Sequence, residues 1–208
     1  DKQTMLSSIL LAKKHQVKIG AHPSFPDREN FGRKPMEISE KDLKNSLINQ
    51  IKTFISLATS ENTKLHHIKP HGALYNLAAK NEDIAQIIAY SVNYFDLQLK
   101  LYAPYESVMA RVASEHNIEV IFEAFADRNY NDDLSLVARS NSNAIIVDPK
   151  SVFEHVKLIV LNHKVRTLGG VEKRLKAETF CVHGDHENAE QILRFLNAQL
   201  QLENIKIG

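Results

Sequence analysis

Apolar residues recur along this chain at two spacings that alternate from one end to the other. Leu6, Ile9, Leu10 and Lys13 fall at helical spacing and predict a helix over residues 2–16. Residues 17–20 read as a strand running into Ala21-His22-Pro23, followed by a polar, turn-rich loop over 24–37. Ser39 with Asp42 forms an N-cap signature, and Leu43, Leu47, Ile51, Phe54 and Ile55 then repeat at helical spacing to about residue 60. A strand at 65–68 precedes a helix at 73–80 and a second helix at 82–95 with Ile84, Ile87, Ile88 and Val92. A strand at 99–103 is stopped by Pro104, and a helix follows over 107–116.

The second half repeats the alternation. Residues 119–126 read as a strand, and a polar segment over 129–143 leads to a short run at 144–147. Asp148-Pro149 marks a helix start, with Val152, Val156, Ile159 and Val160 as its apolar face. Residues 165–168 and 171–175 flank Gly169-Gly170 as a small hairpin. A strand over 179–182 and a helix over 187–202 close the chain. Strand–helix alternation predicts a mainly parallel α/β sheet covered by helices; periodicity leaves a barrel and an open sheet both possible. No linker, repeat or low-complexity stretch divides the chain, which predicts a single domain over residues 1–208.

Polar groups gather where these strands end. Lys69-Pro70-His71-Gly72 follows the strand at 65–68, where Pro70 stops the extended run and Gly72 permits a sharp turn. Tyr75 lies about one helical turn beyond His71. Other strands lead to His22, to Glu123 with Asp127 and Arg128, and to His183 with Asp185. Parallel strands would deliver all of these to one face. Three imidazoles and several carboxylates suit acid–base chemistry or a divalent metal, while Lys69, Arg28, Arg33 and Arg128 suit a phosphate or oxyanion. Plainer roles compete: an Asp127–Arg128 ion pair holding a loop, Asp185 as cap of the last helix, and an ordinary wet loop around Arg28 to Lys34. Cys181 reads as a core residue. His66, His67, His116, His155 and His163 read as surface or structural.

Composition narrows the function. The chain has 208 residues, 43% hydrophobic and 25% charged, with a net charge of +1, which gives no whole-chain argument for nucleic acid or membrane binding. No apolar run approaches the ~20 residues of a membrane span. One cysteine excludes an internal disulfide and suits a cytoplasmic setting. Phosphate-loop, dinucleotide, nucleophile-elbow and H-E-x-x-H zinc signatures are all missing from the sequence.

With those residues in view, the chain resembles the LamB/YcsF family of 5-oxoprolinase A subunits. The likeness rests on Val17 through Asp27, Phe31-Gly32-Arg33, Lys69 through Asn76, Glu123 through Tyr130, Leu136-Val137 with Arg139-Ser140, and Cys181 through Asp185. Leu134, Ala138, Ser142-Asn143 and His186 depart from the family pattern in loops. The family's opening acidic strand and its His-Ala-Gly-Asp segment are not seen, so the resemblance implies an N-terminally incomplete version. It implies an irregular (β/α) barrel similar to sugar-deacetylase folds, ATP-coupled opening of 5-oxoproline to glutamate, and separate B and C subunits as partners. A lactam holds its amine and carboxyl at high effective concentration, so opening needs a driving reaction; phosphorylating the lactam oxygen would weaken the C–N bond.

On this resemblance His71, Lys69, Asp127, His183 and Asp185 are candidate catalytic residues, with His71 and His183 in acid–base or metal-ligand roles and Asp127 or Asp185 orienting them. His22, Arg33, Tyr75, Glu123, Arg128 and Arg139 are candidate substrate-binding residues. ATP is the implied co-substrate, with a divalent metal as a further option. Two other readings remain open: a metal-dependent amide hydrolase that does not use ATP, and a scaffold protein of the complex with no catalytic role.

Overall fold

The computed structural model describes residues 1–207. Its chain is mixed α/β, with seven α-helices among the described residues. Two compact units are distinguished, Asp1–Ile121 and Phe122–Gly208.

The first unit holds α1 (Lys2–Lys14), β1 (Ile19–Ala21), α2 (Glu40–Ser60), β2 (Leu65–Ile68), α3 (Gly72–Ala78), α4 (Glu82–Asn93), β3 (Lys100–Pro104) and α5 (Val108–Glu115). β1 pairs with β2, and β2 with β3, both in parallel. Parallel neighbours require crossovers, and α2 and the α3–α4 pair supply them. Ser39 caps α2 by accepting the Asp42 N–H, as its sequence predicts. The faces expected to be apolar are buried: Leu43, Leu47 and Ile51 on α2, and Ile87, Ile88 and Val92 on α4. Ile9 of α1 packs with Ile19 and Ala58, so the first helix is fastened to β1 and to the end of α2.

The second unit begins within β4 (Val120–Phe125) and continues with α6 (Pro149–Asn162), β5 (Lys164–Arg166), β6 (Glu172–Arg174), β7 (Thr179–Cys181) and α7 (Ala189–Leu202). β4 and β7 are parallel, while β5 and β6 form the antiparallel hairpin expected around Gly169-Gly170. Asp148 caps α6 through the Ser151 N–H, with Pro149 at the first position, where its missing N–H costs nothing. Val152, Phe153 and Val156 of α6 meet Ile192, Leu196 and Leu200 of α7 over Ala126.

Two expectations need correction here. The last helix starts at Ala189 with Asn188 in the cap position, so Asp185 does not cap it. The turn between them is tied instead by His186, whose Nδ1 accepts the Asn188 N–H. Cys181 is only half-buried, because the three-residue strand that carries it is partly exposed throughout.

Gly72 is the most constrained glycine near the strand ends. Its φ is +56°, and a Cβ there would lie 2.6 Å from the carbonyl oxygen of Gly32, a backbone atom that cannot swing aside. Gly72→Ala is therefore expected to destabilise the protein by about 1–3 kcal/mol, combining left-handed strain with the clash, and urea unfolding reads this directly. A second test concerns His67, whose ring stacks on Tyr102 at 3.8 Å. Burial, then the neighbouring His66, Lys69 and Lys18, lower its pKa from 6.5 to about 4. Between those values the unfolded chain binds more protons than the native one, so this contribution to stability is complete above about pH 6.5 and is lost as pH falls towards 4. In a His67→Gln variant, stability should fall less steeply over that window.

Candidate functional site

In the first unit the parallel ladder continues past the ends of its strands. The Lys69 N–H donates to Ala21 O at 3.0 Å, the His71 N–H to Pro23 O at 2.8 Å, and the Ala73 N–H to Gly32 O at 3.0 Å. Alternate residues of the segment after β2 thus hang from the loop after β1, since buried backbone donors need acceptors. Gln50 of α2 clamps that loop from behind, accepting the Ser24 N–H and donating to Ser24 O.

This framework brings His22 and His71 together. His71 Nδ1 lies 2.9 Å from His22 Nε2, with the rings edge to face. The outer nitrogens meet backbone carbonyls: His22 Nδ1 is 2.6 Å from Lys69 O, and His71 Nε2 is 2.9 Å from Phe31 O. Phe31 presents that carbonyl from a left-handed backbone, φ 55°, and its ring meets His71 edge-on. The Arg33 guanidinium lies over the Phe31 ring, 5.1 Å from its centre. Lys69 is half-buried at the end of β2, and Tyr75 is buried in α3, one turn on from His71.

In the second unit β4 delivers Asp127 and Arg128 into a loop that folds back on it. The Ala126 N–H donates to Cys181 O and the Ile146 N–H to Asp127 O. Asp127 is 1% exposed, and its carboxylate accepts both the His183 backbone N–H at 2.9 Å and the ring Nδ1–H at 2.8 Å. Burial alone would raise this carboxyl, but the His183 hydrogen bonds outweigh it and hold the pKa below the ordinary carboxylate range. The same bond makes Nδ1 the protonated nitrogen of His183 and leaves Nε2 as its basic position. Phe125 stacks against the His183 ring.

Arg128 does not pair with Asp127 in the way an ion-pair reading of the sequence expects. Its guanidinium donates to Val137 O at 2.5 Å and Ala144 O at 3.2 Å, so it knits the loop through carbonyls. The Asp127 carboxylate is already occupied by His183. Burial, and then the like charge of Arg139, push the Arg128 guanidinium below its usual value without discharging it. Asp127, Arg128, Arg139, His183, Asp185 and His186 line one cavity of about 420 Å³, within the range of small-molecule sites. Glu123 is buried in β4 at 4% exposure.

Some contributors were not singled out from the sequence. Tyr130 OH accepts the Phe125 N–H, and burial raises that phenol well above its ordinary range. His155 donates Nε2–H to Phe125 O, stacks on Tyr130, and is held towards its neutral form by burial. These groups brace the strand end that carries Asp127. Their signal in sequence was slight, because an imidazole on a helix face reads as surface.

The donor set can be tested against a metal ion. Both nitrogens of His22 and of His71 are engaged as described, and among the described residues no three His, Cys, Asp or Glu side chains gather as a ligand group. Each outer nitrogen meets a backbone carbonyl while the inner nitrogens face one another, the way two imidazole ligands are oriented. The second unit's cavity is lined by Arg128 and Arg139 together with the carboxylates Asp127, Asp185 and Glu187.

Asp127 stabilises the native state above the unfolded carboxylate value, near pH 4, and that contribution is lost as pH falls through its lowered native value. Asp127→Asn should cost about 1–3 kcal/mol at pH 7 and flatten the acid limb of the stability curve, as measured by chemical unfolding from pH 7 to pH 2.

Known proteins share this framework. The LamB/YcsF family profile matches residues 1–208. A Haemophilus influenzae protein named as the A subunit of 5-oxoprolinase is 42% identical over 203 residues, covering 98% of this chain and 83% of its own. A Pyrococcus horikoshii protein of the same name is 37% identical over 207 residues, covering all of this chain and 81% of its own. The solved lactam utilization protein of Thermus thermophilus superposes with a TM-score of 0.92 at 33% identity, over 100% of this chain and 83% of that one. A solved Enterococcus faecalis protein shares the fold alone, at a TM-score of 0.53 and 11% identity, over 98% of this chain and 81% of its own.

Proposed function

The chain belongs to the LamB/YcsF family, and from that premise we propose that it is the A-type component of an ATP-dependent 5-oxoprolinase, working with B and C subunits to open the lactam of 5-oxoproline to glutamate. The observation that carries this reading is the Asp127–His183 pair on a cavity flanked by Arg128 and Arg139, in a chain whose relatives bear the 5-oxoprolinase name. We take residues 1–208 as one barrel-like domain acting in the cytoplasm.

Opening an amide needs a base for water, an acid for the departing nitrogen and cations for the anionic groups. His183 supplies the base: Asp127 fixes its tautomer, and Nε2 is the nitrogen left to take a proton. In the first unit His71, beside His22, is a separate candidate for proton transfer. In the second unit Arg128 and Arg139 hold carboxylate or phosphoryl oxygens; in the first, Lys69, Arg33 and His22 are the candidates for binding anionic groups. Asp185, lining the cavity, and the buried Glu123 add carboxylates in the second unit, while Tyr75 is buried in the first. ATP, when bound, supplies the driving force that an unstrained lactam lacks. The chain's own residues orient the ring, deliver water and move protons.

The test is glutamate release from 5-oxoproline by the complex reconstituted with its B and C subunits. His183→Ala and His71→Ala should each lower turnover by about 10²–10⁴-fold while leaving this chain folded. Unchanged turnover in either variant would remove that residue from the mechanism. Ring opening at full rate without ATP would overturn the ATP-coupled reading.

A further inference from the structure

The loop after β1 holds an aromatic ring in the open against its own backbone strain. The Gly32 N–H donates to Asp27 O at 2.8 Å and the Arg33 N–H to Asn30 O at 2.9 Å, while the Asp27 carboxylate takes the Asn30 N–H at 3.2 Å. These bonds close a tight double turn in which Phe31 and Gly32 are both left-handed, with φ of 55° and 64°. Glycine adopts that conformation freely, but a bulky residue does so against its own Cβ. Burial does not offset the strain, because Phe31 is 66% exposed. The carbonyl that His71 Nε2 meets does not require this residue either, since glycine or asparagine would present the same oxygen with less strain. What the phenyl ring adds is two contacts. His71 meets its edge, with ring centres 5.2 Å apart, and the Arg33 guanidinium lies over its face, 5.1 Å from the centre.

We propose that Phe31 is a positioning residue: its ring docks the Arg33 guanidinium and so sets an anion-binding group beside His71. An aromatic face attracts a guanidinium by charge without using its N–H donors. The ring can therefore locate the charge while the donors serve the oxygens of a carboxylate or phosphoryl group. A long arginine side chain also loses rotamer freedom when it binds a ligand, and a ring that holds it beforehand lowers that loss. The use of this anion site by 5-oxoproline or ATP rests on the 5-oxoprolinase reading; the docking of Arg33 does not.

NMR of the arginine Nε–Hε groups in the whole chain reads the docking without any assay. The Arg33 signal should lie upfield under the ring current of Phe31, return to its ordinary position in Phe31→Leu and stay shifted in Phe31→Trp. An Arg33 signal that is the same in Phe31→Leu as in the unsubstituted protein would overturn the docking. In the complex reconstituted with its B and C subunits, Phe31→Leu should raise KM by about 3–10-fold, with kcat within about two-fold, and Phe31→Trp should restore it. The rise is read separately for 5-oxoproline and for ATP, and the one that moves identifies the anion. Arg33→Ala should raise the same KM further, and adding Phe31→Leu to it should change nothing more, because the ring acts through the guanidinium. Additive losses, or KM values that neither substitution moves, would overturn the positioning role. An upfield Arg33 signal in a protein whose complex does not open 5-oxoproline would leave the docking standing and count against the proposed function instead.

Discussion

The constraint on which the site depends is that a backbone N–H leaving a parallel strand must still find an acceptor. Parallel ladders end abruptly, and the loops beyond them carry amides that water would otherwise have to satisfy. In the first unit Ala21, Pro23 and Gly32 provide three carbonyls for Lys69, His71 and Ala73. In the second, Cys181 O takes the Ala126 N–H, and the Asp127 carboxylate takes the His183 N–H. The same bonds that end the strands therefore fix where the candidate site side chains stand.

This explains why so many of the polar residues are rigidly held. His71 cannot slide along its loop, because its own N–H and that of Ala73 are tied two residues apart to the neighbouring loop. Gly72, between them, must be a glycine because the Gly32 carbonyl occupies the space a side chain would take. Asp127 is aimed at His183 by two bonds from one residue, which sets both the distance and the tautomer. Arg128 spends its donors on carbonyls of its own loop, so its charge is presented without being cancelled by a carboxylate bond. Preorganisation of this kind places charge before any ligand arrives.

Much of this was legible in the sequence because the signals were local. Pro70 and Gly72 announced a strand end, Ser39 and Asp148 announced helix starts, and the strand at residues 65–68 ends where Pro70 requires. The fold class followed from strand–helix alternation, and the family from short motifs spread over most of the chain. Partner choice was legible only in part: Asp127 does orient His183, one of the options the resemblance offered, but it does not pair with Arg128. Asp127 and Arg128 are adjacent in sequence, yet β4 directs the carboxylate to His183, more than fifty positions away, and the guanidinium to carbonyls. Asp185 sits where a cap is plausible, but the turn through His186 delays the helix to Ala189. The His22–His71 contact depends on two loops in register, and nothing in residue spacing reveals a nitrogen–nitrogen distance.

A crystal structure with 5-oxoproline bound would test the account most directly. The account predicts the carboxylate of the lactam against Arg128 and Arg139, and its ring carbonyl within one water of His183 Nε2. A ligand seated away from both guanidinium groups and from His183 would contradict it.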